Sequence, residues 1–177
     1  MASRGDYLKD NLDFEYSMIV KDILNNEEFA KMADIKHHNT TRLEHMMKVS
    51  YYSYKVAKTL GLKYREVARA GLLHDFYFER TVEYNKVKDK MKLYTYLHPK
   101  EAVKNAKKYF DINAIEEDII SSHMFPIDIK IPKYLESWIV STTDKVVASY
   151  EFYMKASKKL KYSLTFGLLL VLNILKI

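Results

Sequence analysis

Apolar residues recur at steps of three and four along most of the chain, which is the spacing of one face of an α-helix. This pattern predicts helices over 7–25, 42–60, 63–75, 98–110, 115–123 and 132–159, with a short helix around Phe29 and Met32. The chain contains only 4 glycines and 3 prolines, too few for a turn-rich β fold. We therefore expect an all-α domain, a bundle of about seven or eight helices.

The helix over 42–60 has clear signals at both ends. Thr41 and Glu44 have the spacing of a capping box, and Gly61 is suited to end the helix. His45 lies in the first turn. The residues that follow it at helical steps are Val49, Tyr52, Val56 and Leu60. We therefore expect the His45 imidazole to point towards the core. In the next helix, Ala70 and Gly71 allow close contact with a neighbouring helix.

The stretch 76–97 has no clear period and is rich in lysine and tyrosine. A loop of this length inside a compact domain is usually functional or mobile. His98 and Pro99 follow it, and proline suits the first position of a helix, so we predict a helix start there. A helix N-terminus favours an anion, which makes Lys100 a candidate phosphate contact.

The end of the chain has a different character. Residues 163–177 are largely apolar on all sides and follow a lysine-rich stretch, 155–161. Fifteen helical residues would span about 22 Å, less than the roughly 30 Å hydrocarbon core of a bilayer. Two interpretations stay open: a helix packed on the domain or in a homo-oligomer contact, and a helix attached to a membrane surface with help from its basic flank. We therefore separate a main domain, 1–162, from this segment.

The formal net charge is +6, and much of it comes from 86–108. The charged residues there are Lys86, Lys88, Lys90, Lys92, Lys100, Lys104, Lys107 and Lys108 against Asp89 and Glu101. Such a field favours anionic partners, although a merely solvated face would have the same composition. The chain has no cysteine, which excludes a disulfide and a thiolate metal site. Residues 1–13 lack a signal-type apolar stretch. We therefore expect a cytoplasmic protein, peripheral on the membrane if 163–177 attaches there.

The dipeptide His74-Asp75 ends an apolar run, and neither side chain tolerates burial without a partner. Four further candidate metal ligands are spaced at intervals of one helix plus one connection. They are His45, His98, His123 and Asp144. Imidazole nitrogens and carboxylate oxygens suit Zn, Mn, Fe, Ni and Mg. A carboxylate between imidazoles would also suit a site with two metal ions.

The order H…HD…H…H…D resembles that of the HD-domain metal-dependent phosphohydrolases, specifically small bacterial members with six ligands. The matching blocks are 42–45, 70–75, 97–99, 119–123 and 143–145. With the segments around them, the resemblance covers roughly 34–153. It implies that one divalent ion is bound by His45, His74, Asp75 and Asp144. Asp75 would bridge to a second ion, which His98 and His123 would also bind.

The resemblance implies hydrolysis of a nucleotide or another small phosphorylated substrate by a metal-activated water, and no nucleic-acid partner is expected. His74 and Asp75 would be catalytic, with Arg42, Lys100 and Lys145 on the substrate and Glu79 as a further candidate. His37 and His38 lie outside the pattern and are interpreted as an exposed pair.

Three other functions stay open. Some six-ligand HD proteins are di-iron oxygenases. A cyclic-dinucleotide phosphodiesterase of the HD-GYP branch would carry a Gly-Tyr-Pro signature and a lysine after HD, but this chain lacks the signature and has Phe76 in place of the lysine. A non-catalytic metal-binding regulator is the third.

Overall fold

The computed structural model describes residues 13–37, 40–78 and 90–174. For residues 36, 37, 40, 90–94 and 158–174 it describes the backbone alone. The α-helices are α1 Phe14–Ile19, α2 Lys21–Leu24, α3 Glu27–Ala30, α4 Arg42–Thr59, α5 Tyr64–Leu73, α6 Lys90–Tyr109, α7 Ala114–Ser122 and α8 Leu135–Ile174. A 3-10 turn, Lys31–Asp34, precedes β1 Lys36–His37 and β2 Thr40–Thr41, which pair antiparallel. These strands have two residues each, and the all-α prediction is confirmed.

Helix α4 packs against α5 and α8. Helix α7 packs against α5, α6 and α8. The predicted close contact at Gly71 is confirmed. A Cβ atom added to Gly71 would lie 2.9 Å from the Cα atom of Ser50 on α4. Ser50 also accepts a hydrogen bond from the Tyr16 hydroxyl and donates one to the Ala68 carbonyl, so its polar group is satisfied inside this contact.

The prediction of which side of α4 is buried is partly wrong. His45 and Val49 are buried, but Tyr52, Val56 and Leu60 are exposed. The other buried positions include Met46, Ser50, Ser53, Tyr54 and Ala57. At the contact with α5, Ser50 lies against Gly71, so a small polar residue is buried at this position of α4.

For the helix predicted over 132–159, apolar periodicity indicates a side that carries Leu135, Ile139, Thr142, Thr143, Val146, Val147 and Tyr150. Of these, Leu135, Val146 and Tyr150 are exposed on α8 and Val147 is buried. The buried face carries Glu136, Ser137, Val140, Ser141, Asp144, Val147 and Glu151. Most of these residues are polar, so apolar periodicity identifies only part of this buried face, including Val147.

Three predicted boundaries differ from the structure. The helix predicted over 7–25 is divided at Val20 within its described part. The helix predicted to begin at His98 begins at Lys90, so Pro99 lies inside it. A proline inside a helix lacks a hydrogen-bond donor, which is why it resembled a start signal. Finally, α8 continues to Ile174 without a break before residue 163, because the lysines at 155–161 are good helix formers.

None of the helices that the structure describes is long and apolar enough to cross a membrane.

Candidate metal centre

His45 is positioned by the start of α4. The hydroxyl of Thr41 accepts a hydrogen bond from the Glu44 amide, and the Glu44 carboxylate accepts one from the Thr41 amide, which confirms the predicted capping box. This cap fixes the first turn, and His45 points from it into the protein. Its Nε2 atom lies 3.0 Å from Oδ1 of Asp144 on α8, so residues 99 positions apart in sequence are in direct contact.

His74 caps the C-terminal end of α5, where backbone carbonyls lack helical partners. Its Nδ1 atom donates to the carbonyl of Gly71 at 2.8 Å. That bond places the proton on Nδ1 and leaves the Nε2 lone pair directed inward. Within the described part of the chain, Nε2 makes no hydrogen bond, and it lies 3.7 Å from carboxylate oxygens of Asp75 and Asp144. A buried nitrogen without a hydrogen bond, facing two carboxylates, fits a bound cation.

His123 repeats this arrangement at the end of α7. Its Nδ1 atom donates to the carbonyl of Ile120 at 2.7 Å, and its Nε2 atom lies 3.0 Å from Nε2 of His98 on α6. Two imidazole nitrogens at this distance require a proton or a cation between them, because two lone pairs would repel. Oδ1 of Asp75 lies 3.4 Å from the His98 nitrogen and 3.6 Å from the His123 nitrogen.

The six predicted ligands therefore form two adjoining groups. The ligand atoms of His45, His74 and Asp144 lie within 4.8 Å of one another, and those of Asp75, His98 and His123 do the same. Asp75 connects the groups, because its Oδ1 atom faces His98 and His123 while its Oδ2 atom faces His74.

The electrostatics of the centre favour a cation. Burial would raise the pKa of Asp75, but the surrounding imidazoles hold it well below its usual range. Burial also opposes ionisation of Asp144, yet the hydrogen bond from His45 and nearby imidazoles lower its pKa to about 2. Burial, together with the neighbouring His74 and His98, lowers the pKa of His123 to about 3. Both carboxylates are therefore charged and His123 is neutral, which are the protonation states that metal ligands need.

His45 is the exception. Burial lowers its pKa, but hydrogen bonds with Asp144 and Glu151 outweigh that effect and raise the pKa to about 10. In the metal-free protein this imidazole is protonated at neutral pH, so a cation that binds its Nε2 atom displaces a proton.

The three predicted substrate contacts lie in different settings. Lys145 is half-buried beside the ligands, and its ammonium donates to the His123 carbonyl at 2.6 Å. Arg42 is buried, and its guanidinium donates to the carbonyl and the hydroxyl of Tyr77. The Tyr77 ring in turn contacts His98. Lys100 is exposed above the ring of Tyr96 in the middle of α6, so the expected helix N-terminus is not beside it.

Two other candidates are not placed by the structure. Glu79 and His38 lie outside the described residues, and the side chain of His37 does too.

Sequence reasoning missed Glu151. This residue lies on α8 seven positions after Asp144, which is about two helical turns and therefore the same face. Its carboxylate is 3.1 Å from Nδ1 of His45. That spacing was a signal in the sequence, but Glu151 is not among the residues that the resemblance identifies.

An all-α fold with two adjoining groups of buried imidazoles and carboxylates defines a metal-binding helical protein. The family model of the HD domain matches residues 42–149, which is more than half of the chain, so the chain belongs to the HD domain family. Members of this family are mostly phosphohydrolases, which supports a metal-dependent hydrolase in general terms. Comparison with curated proteins and with solved structures found no match.

Proposed function

We propose that the protein hydrolyses a phosphate ester or phosphoanhydride in a nucleotide or another small phosphorylated molecule, using two divalent ions. The observation that carries this proposal is the position of Asp75, which presents one carboxylate oxygen to each group of ligands. His45, His74 and Asp144 would bind the first ion, and His98 and His123 the second. Divalent ions bound there would lower the pKa of an attacking water and neutralise charge on phosphate oxygens.

The protein would contribute orientation and charge. Carbonyls at the ends of α5 and α7 fix the tautomers of His74 and His123, so both Nε2 lone pairs face the centre without rearrangement. Asp75, ionised at neutral pH, would orient the water through its carboxylate oxygens. Such preorganised groups stabilise the charge that develops during phosphoryl transfer.

Lys145 is the best placed of the predicted substrate contacts. It lies beside the ligands, because it donates to the backbone carbonyl of His123 and its ammonium is 3.8 Å from Oδ2 of Asp144. Its side chain is 30% exposed, so a phosphate that approaches the centre could contact it. The buried Arg42 instead acts on the centre through Tyr77 and His98.

The experiment is metal analysis of the purified protein combined with a substrate panel. The protein is loaded separately with Mn²⁺, Fe²⁺, Zn²⁺, Ni²⁺ and Mg²⁺ and assayed on phosphomonoesters, nucleotides, cyclic dinucleotides and inorganic pyrophosphate. Hydrolysis of at least one compound by the wild type, detected as phosphate release or by chromatography of the nucleotide products, and its loss in His74→Ala, is the expected result. Tightly bound metal without turnover on any compound would contradict hydrolysis and favour a metal-binding regulator.

The same ligand set would also bind a pair of iron ions, because imidazoles and a bridging carboxylate suit iron as well. Consumption of O₂ by a coloured, iron-loaded protein, without phosphate release, would favour the oxygenase alternative. Both outcomes are read from one preparation, so the two functions are compared under identical conditions.

A further inference from the structure

Glu151 is a buried carboxylate that the proposed set of ligands does not use. It is 5% exposed and lies near the middle of α8. One of its oxygens lies 3.1 Å from Nδ1 of His45, and the other accepts a hydrogen bond from Lys48 at 2.7 Å. A buried carboxylate is costly unless it is paired, so two such contacts indicate a defined role.

Asp144 and Glu151 contact opposite nitrogens of the same imidazole, at 3.0 Å and 3.1 Å. A carboxylate only accepts hydrogen bonds, so the contact with Glu151 keeps a proton on Nδ1 of His45. The Nε2 atom faces Asp144 and the other ligands, so a cation bound there takes the place of the proton that Nε2 shares with Asp144. The two carboxylates therefore fix the rotation of the ring, and Glu151 retains the Nδ1 proton when a cation replaces the one on Nε2.

The three histidines whose Nδ1 contacts are described fall into two kinds. His74 and His123 lie at helix C-termini, where their Nδ1 atoms reach carbonyls of their own helices. His45 lies in the first turn of α4, and the carbonyls that a helix leaves unpaired are at its other end. Its Nδ1 partner is instead a charged side chain on another helix, α8.

We propose that Glu151, supported by Lys48, is a positioning residue that orients His45 and makes its Nε2 atom a stronger metal ligand. A carboxylate partner raises the basicity of a metal-bound imidazole more than a neutral carbonyl does. The inference rests on the proposed metal centre and adds to it a residue that does not touch the ion. Lys48 is partly exposed, so it balances the charge of Glu151 from the solvent side.

The test measures metal affinity and does not depend on activity. The dissociation constant for Mn²⁺ is determined by competition with a chelator for the wild type, Glu151→Gln and Glu151→Ala, and Co²⁺ absorption spectra are recorded for each. We expect Glu151→Ala to weaken affinity by about 100-fold and Glu151→Gln by about 10-fold, since the amide oxygen still accepts the Nδ1 hydrogen bond without its charge. Both variants should change the Co²⁺ spectrum, because the field around His45 changes.

Tyr150→Ala is the matched control, because Tyr150 is the preceding residue on α8 and is exposed. It should leave affinity and spectrum unchanged. If Glu151→Ala fails to fold, the isosteric Glu151→Gln variant decides alone. A folded Glu151→Gln protein with the wild-type dissociation constant and Co²⁺ spectrum overturns the inference. A wild type that binds neither Mn²⁺ nor Co²⁺ would instead overturn the metal centre itself, so the two failures are distinguishable.

Discussion

Oδ1 of Asp75, which follows the C-terminal end of α5, lies 3.4 Å from Nε2 of His98 within α6. The other oxygen of the same carboxylate faces His74. A single side chain thus connects two groups of ligands that come from five helix segments. Its charge, geometry and burial together determine what the centre can bind.

The metal-free protein should have a limited pH range of stability. The pKa of His45 is about 10 in the folded protein and 6.5 ordinarily, so its contribution is fully present below about pH 6.5 and is lost as pH rises through 10. The pKa values of Asp144 and Glu151 are about 2, below their ordinary values, so their contribution is present above about pH 4.5 and is lost as pH falls through 2.

The pKa of His123 is about 3 in the folded protein and 6.5 ordinarily, so keeping this imidazole neutral costs stability as pH falls below 6.5. We therefore expect the melting temperature of chelator-treated protein to be highest near about pH 6.5. Adding Mn²⁺ at pH 8 to 9 should restore stability, because the ion replaces the proton of His45. Thermal unfolding across this range measures the effect, with His45→Gln as a comparison whose alkaline loss should be smaller. A melting temperature that stays level from pH 6 to 10 without metal would contradict the assigned proton.

Arg42→Met tests whether Arg42 supports the fold or contacts substrate. Arg42 is buried, and the substitution would leave the Tyr77 carbonyl without this donor. We expect a loss of about 1–3 kcal/mol in the free energy of unfolding, and weaker metal binding because Tyr77 contacts His98. Urea unfolding measures this, and the exposed Arg65→Met is the matched control. Normal stability together with a raised KM would show that Arg42 contacts substrate after all.

Gly71→Ala tests the helix contact behind the HD dipeptide. The added Cβ would lie 2.9 Å from a backbone atom of Ser50, so α4 and α5 must separate. We expect a destabilisation of about 1–3 kcal/mol, the usual cost of overpacking. Gly61→Asn is the comparison, because Gly61 has a φ of 67° in open space and asparagine tolerates that conformation. Equal stability of Gly71→Ala and wild type in urea would refute the close contact.

The lysines before His98 carry a prediction that depends on charge alone. Replacing Lys88, Lys90 and Lys92 with glutamine should lower kcat/KM for an anionic substrate more than kcat, because steering acts on association. The difference should shrink at high salt, where the Debye length falls from about 10 Å at 0.1 M to about 3 Å at 1 M. Metal content should be unchanged. An unaltered kcat/KM at low salt would show that these lysines only solvate the surface.

Sequence spacing located the helices that carry His45, His74, His123 and Asp144, because caps and apolar steps are local signals. It misplaced the start of α6, since a proline inside a helix and a proline at its start look alike in one sequence. It also assigned exposed side chains to the buried faces of α4 and α8, such as Val56 and Val146. Those faces include polar residues such as Ser50 and Asp144, whose partners lie on other helices, and no local pattern reveals such partners. Glu151 is seven positions after Asp144, a spacing that the sequence shows, but its contact with His45 on α4 is visible only in the structure.

If Asp75 joins two metal-binding groups, as we propose, the metal content of three proteins should show it. Wild type, His98→Ala and Asp75→Ala are loaded with Mn²⁺, freed of excess ion and analysed for metal per chain. We expect about two ions in wild type, about one in His98→Ala, which keeps Asp75 beside the group of His45, His74 and Asp144, and a loss of both in Asp75→Ala, which removes a ligand of each ion. Full metal content in a folded Asp75→Ala protein would show that this carboxylate does not join the two groups.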